Sequence, residues 1–115
     1  MKFMFLLYGD ESAGETPSRI SEERSVQWAE FHELAKASGK LVARQALVPT
    51  DAARTVRPSG GGTLVETDGP FAETKEQLGG VYILECADIT EAMSFASKMP
   101  CAIHGSVEVR QILGE

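Results

Sequence analysis

The sequence predicts an α+β domain of the ferredoxin-like βαββαβ plan with an inserted β-hairpin, and three observations lead to it. Strand-like and helix-like periodic segments alternate in the order β, α, β, hairpin, β, α, β. Each of the two helical segments carries its own start and stop signals. The first strand, KFMFLLY at Lys2 to Tyr8, places Phe3, Phe5 and Leu7 on one face and Met4, Leu6 and Tyr8 on the other. Helices on one side cover one of those faces and leave the other as an apolar patch. The simplest remedy is a second copy packed sheet to sheet, so a homodimer is expected.

The acidic stretch GDESAGETPSR after the first strand reads as a loop. A helix then starts at Ser18 or Ser21 and runs to Ser38. Glu22 and Glu23 suit its first turn, and Trp28, Phe31, Leu34 and Ala35 form its buried stripe. Gly39 supplies a left-handed stop. Leu41 to Val48 reads as the second strand, ended by Pro49. Two short β-like runs, Ala53 to Arg57 and Thr63 to Glu66, flank PSGGG as a hairpin. Gly80 to Cys86 is the third main strand. Asp88 caps a helix from Ile89 to Met99, with Glu91 completing a capping box, Ala92, Met93, Ala96 and Met99 inward, and Pro100 as the stop. Ser106 to Leu113 closes the domain, and the expected spatial order of the main strands is fourth, first, third, second.

The 115 residues suit one domain over 1–115, with an expected radius of gyration of roughly 13 Å. Apolar residues at 43% and charged residues at 24% fit a globular chain. A net charge of -6 without a basic cluster argues against direct nucleic-acid binding, which needs phosphate neutralisation. The longest apolar run, Phe3 to Tyr8, is too short to span a bilayer and lacks a signal-peptide cleavage pattern, so the expected compartment is the cytoplasm. Cys86 and Cys101 match neither a zinc spacing nor a disulfide framework and read as ordinary thiols. The triple glycine at Gly60 to Gly62 lacks the GK[ST] of a phosphate loop, and FHELA lacks the second histidine of a zinc protease. Asp10, Glu11 and Glu15 lack cation-loop spacing. No metal or other cofactor is expected.

The candidate site residues are few. On the last strand Val107 and Val109 alternate with Glu108 and Arg110, so valines on the helices would leave Glu108 and Arg110 between the two sheets of the dimer. There they form either a structural ion pair or an anion-holding Arg beside a carboxylate acid or base. His32 flanks the helix's buried stripe and is either packed on Trp28 or an acid/base group. His104 reads as a turn residue. In TDGPFAETKEQLGG, Asp68-Gly69 signals a turn, Pro70 fixes the next dihedral and Phe71 offers an apolar anchor. Thr74 to Gln77 has the spacing of a capping box, predicting one helical turn over Thr74 to Leu78 that Gly79-Gly80 ends. Asp68 and Glu73 either serve this turn alone or reach a pocket mouth.

TDGPFAETKEQLGG, the Glu-Val-Arg of the last strand and the helix ending at Pro100 together resemble the DGPF-type branch of the YCII-related family, across nearly the whole chain. The resemblance implies a ferredoxin-like fold paired as a dimeric α/β barrel. It also implies kinship with small-molecule enzymes, lactone isomerases and dehalogenating lyases among them, and a regulatory setting in which a transcription factor is a partner. Shorter relatives carry a His-Asp pair whose Asp follows the second helix. Met99-Pro100-Cys101 stands at that place here, so His32 lacks the matching partner. The expectation is a cofactor-independent lyase or isomerase acting on an anionic metabolite. Arg110 would hold the anion, Asp68, Glu108 or His32 would move a proton, and Tyr8, Phe71 and Glu73 would shape the pocket. The alternative is a non-catalytic dimeric ligand sensor or regulatory module.

Overall fold

The computed structural model describes residues 1–114. The chain runs β1 (Lys2–Gly9), β2 (Glu15–Thr16), β3 (Arg19–Ile20), α1 (Glu22–Ala37), β4 (Leu41–Ala46), β5 (Arg54–Pro58), β6 (Leu64–Asp68), β7 (Gln77–Glu85), α2 (Ile89–Ala96), α3 (Cys101–His104) and β8 (Ser106–Gln111). Four strands form an antiparallel sheet in the order β4-β7-β1-β8, the order expected of the main strands. The hairpin β5–β6 forms a separate two-stranded ribbon outside that sheet, as does the pair β2–β3.

Alternation along β1 decides where the core lies. Phe3, Phe5 and Leu7 are buried against Phe31 and Ala35 of α1 and Ala92, Phe95 and Ala96 of α2, with Tyr82 and Leu84 of β7 in the same layer. Full burial of each large apolar side chain contributes about 1.5–3 kcal/mol. The opposite face of the sheet carries Met4 and Leu6 beside Val81 and Ile83, all half-buried, because no element of the chain covers them. Register places Leu6 opposite Glu108 and Met4 opposite Arg110, so the two charged residues share this open face.

Helix limits follow their caps. Ser21 Oγ accepts the Arg24 N–H at 3.2 Å to start α1, and Gly39, at φ 73°, turns the chain out of it. Asp88 Oδ1 accepts the Glu91 N–H at 2.8 Å to start α2, while Glu91 Oε1 reaches back to the Ala87 N–H at 2.9 Å.

Several local expectations are corrected. Leu34 and Met93 were expected inward and are 41% and 51% exposed. The contact stripe of α1 is the i, i+4 pair Phe31 and Ala35, and that of α2 is Ala92, Phe95 and Ala96, which leaves Leu34 and Met93 on the flanks; α2 ends at Ala96, short of the expected Met99, which is buried in the turn beyond it. The helical turn at Thr74 to Leu78 is absent, since β7 already begins at Gln77. Thr74 Oγ1 donates to the Glu76 carbonyl at 2.6 Å instead of capping. Gly79 and Gly80 are therefore strand residues, needed for close approach. A Cβ on Gly79 would sit 3.0 Å from Thr16 Cβ, and one on Gly80 would sit 2.9 Å from the Gln45 carbonyl oxygen. Phe71, read as an anchor, is 78% exposed. The acidic loop is a brace: Glu11 accepts the Thr50 N–H and hydroxyl at 2.9 and 2.6 Å, tying β1's exit to the connection after β4.

Candidate functional site

The sequence-derived candidates occupy separate places. Glu108 and Arg110 lie on the open sheet face, with Arg110 Nε 3.9 Å from Glu108 Oε2 and both side chains at least half exposed. Asp68 ends β6, where its side chain is 91% exposed and pairs with Arg54 at 3.5 Å. Glu73 lines a shallow cleft with Asp10, Glu11 and Asp51. Tyr8 and Phe71 come together in a second cleft of about 710 Å³ between the hairpin and the end of the sheet, with Leu47, Val48 and Val56. The hydroxyl and carboxylate groups there are largely committed: Thr55 Oγ1 donates to the Gly69 carbonyl and Ser106 Oγ donates to Glu76 Oε1.

His32 alone stands in a different setting. It lines a cavity of about 440 Å³ on the helix side of the sheet, between α1 and the edge strand β4. The volume falls in the range that holds small ligands. Leu7, Ile20, Trp28 and Ala46 supply apolar walls, and His32, Glu33, Arg44 and Tyr82 supply the polar groups. Sequence position explains each placement. His32 follows Phe31 by one residue and so falls on the edge of the buried stripe facing β4. Tyr82 and Arg44 are register partners across β7 and β4 and project to the helix side.

The rings form a fixed cluster. Trp28 stacks on Tyr82 with centroids 6.1 Å apart and an interplanar angle of 14°. Phe31 meets Tyr82 edge-on at 5.4 Å. The Tyr82 hydroxyl lies 3.3 Å from His32 Nδ1, and the tautomer of the imidazole decides which atom donates. Burial lowers the pKa of His32 below its usual value, and the positive charges of Arg44 and Lys36 add to that effect. Burial raises the Tyr82 hydroxyl above its usual value, while the neighbouring Arg44 guanidinium pulls the other way. At neutral pH the site therefore holds a neutral imidazole against a protonated phenol.

Arg44 and Tyr82 were not singled out in the sequence. Their signal was weak: LVARQAL places an arginine in an apolar strand, and only the pairing of β4 with β7 brings it to the tyrosine. Burial also raises the Cys86 thiol and pushes Cys101 up to about 12, which leaves both unreactive as nucleophiles. Among the described residues no group of three His, Cys, Asp or Glu side chains converges to hold a metal ion. No helix among them is long and apolar enough to cross a membrane.

Comparison with known proteins agrees with this architecture. The model of a family described as the YCII-related domain matches residues 1–114. An uncharacterized protein of Rhizobium meliloti (strain 1021) is 43% identical over 115 residues, covering 97% of this chain and 92% of that protein. A solved structure of 5-chloro-2-hydroxyhydroquinone dehydrochlorinase from Burkholderia phenoliruptrix AC1100, in complex with 2,5-dihydroxybenzoquinone, superposes with a TM-score of 0.55 at 14% identity. It covers 100% of this chain and 96% of that one, which extends the likeness of fold over the whole molecule.

Proposed function

The chain belongs to the YCII-related family, and from that premise we propose that it is a cofactor-independent small-molecule enzyme of lyase or isomerase type working in the His32 cavity. The observation that carries this reading is the 3.3 Å contact between His32 Nδ1 and the Tyr82 hydroxyl inside a ligand-sized cavity. With Nδ1–H donating to the Tyr82 oxygen, Nε2 keeps its lone pair and takes a proton from the substrate. The Tyr82 hydrogen then turns to the oxygen on which negative charge develops. Returning the proton to another atom gives an isomerisation, and loss of a leaving group gives an elimination. A positioned general base contributes about 10²–10⁴ in rate. The fold neighbour's name, a dehydrochlorinase, is consistent with chemistry of this kind on this scaffold. The test is turnover of hydroxylated aromatics and lactones by purified protein. His32→Gln should lower kcat by about 10²–10⁴, and unchanged turnover in that variant would exclude the mechanism.

The open sheet face supports a homodimer in the same reading. Met4, Leu6, Val81 and Ile83 form a half-buried apolar strip, and a second copy laid over it would enclose Glu108 and Arg110. A dimeric barrel made in this way leaves the His32 cavity on the outer, helix side of each sheet. One observation favours the regulatory alternative: Val56, Leu64 and Phe71 on and beside the hairpin are 56%, 73% and 78% exposed, a surface suited to a protein partner. Saturable small-molecule binding without turnover, together with co-purification of a transcription factor, would favour that alternative.

A further inference from the structure

The charge arrangement around the cavity says more about its ligand than the acid/base pair does. Arg44 projects from the edge strand to the helix side, where its neighbours are the indole of Trp28, the ring of Tyr82 and the imidazole of His32. Among the described residues no carboxylate lies within ion-pair distance of Arg44. Glu33 lines the same cavity and pairs with Lys36 on its own helix at 3.6 Å. Arg44 is exposed at the cavity's rim beside the Tyr82 hydroxyl, and a guanidinium with no carboxylate there can receive an anion.

We infer that the cavity binds a small carboxylate with a flat apolar body, its carboxylate on Arg44 and its body against Trp28. This rests on the cavity being the functional site, and it names the ligand class. The planar guanidinium fork matches a carboxylate in two parallel hydrogen bonds, which a phenol or neutral amide does not reproduce. His32 stays neutral beside the anion, because burial is the main cause of its lowered pKa and a seated ligand deepens that burial, so the imidazole remains available as a base.

The experiment uses benzoate as the anion and benzamide as its neutral counterpart, titrated into the full chain by calorimetry. Benzoate should bind, and benzamide should bind at least about tenfold more weakly. Arg44→Gln should remove the preference for benzoate, whereas His32→Gln should keep it. Absence of benzoate binding, equal binding of benzamide, or an undiminished preference in Arg44→Gln overturns the inference. None of these results depends on turnover, so failure of the catalytic reading, seen as unchanged kcat in His32→Gln, is read separately.

Discussion

Truncating Tyr82 in two steps separates what its ring does from what its hydroxyl does. The ring is 3% exposed, stacked on Trp28 and met edge-on by Phe31, so it belongs to the core as well as to the cavity. Tyr82→Phe keeps those contacts and removes one hydrogen bond of 3.3 Å to His32. A bond of that length belongs at the lower end of the usual net range, giving a cost of about 0.5–1 kcal/mol. Tyr82→Ala removes the ring as well and should cost about 3–5 kcal/mol, a large part of a domain's stability. Urea unfolding with an unchanged slope measures both. A second readout follows from the cause of the His32 shift. Burial is its largest part, so Tyr82→Ala should let the His32 pKa return upward toward its ordinary value, while Tyr82→Phe should leave it lowered. Proton NMR of the imidazole follows this directly. Equal costs for the two variants, or a His32 that stays lowered in Tyr82→Ala, would refute the picture of a packed ring shielding the imidazole.

Other outcomes are expected. Asp88→Ala should cost about 1 kcal/mol because it removes the acceptor of the Glu91 N–H, whereas Thr74→Ala should stay within about 0.5 kcal/mol because no helix starts there; chemical denaturation of both decides. The native fold holds the Cys101 thiol at about 12 and raises Tyr82, so the unfolded chain releases these protons first. Stability is then full below about pH 9 and falls as pH rises through that window, and a urea midpoint that stays flat from about pH 8 to about pH 11 would contradict the burial of both groups. Leu6→Glu on the open face should leave the chain folded and abolish the proposed pairing of two copies, which sedimentation velocity would detect.

Much of the fold was legible because periodicity and caps report local physics. The two-faced β1, the Asp88 cap and the Gly39 stop all correspond to energies that neighbouring residues set among themselves. Errors arose where a distant segment decides the outcome. Thr74 to Gly80 carries a helix-cap pattern, yet Thr16 and Gln45 pack over its glycines and pairing with β1 draws the segment into a strand. Met93, expected on the inward face of its helix, lies on the flank, and Phe95 takes its place in the core. The site was less legible for the same reason. His32 could be named from its helix, but Arg44 and Tyr82 meet it only through the β4–β7 register, and no spacing within the sequence encodes that meeting.

The hairpin β5–β6 stands apart from this core, in a molecule 50 Å along its longest axis. Every residue from Gly60 to Asp68 is exposed, and its ladder bonds face water on both sides. A ribbon of this kind has no apolar interior to make it unfold together with the sheet. The chain should therefore behave as two cooperative units. Amides of the ribbon would exchange with solvent through local opening, while those of β1 and β7 would exchange only when the whole domain unfolds. A partner that clasps the ribbon would slow its exchange without altering the sheet, so hydrogen exchange can detect a docking event at a distance from the His32 cavity.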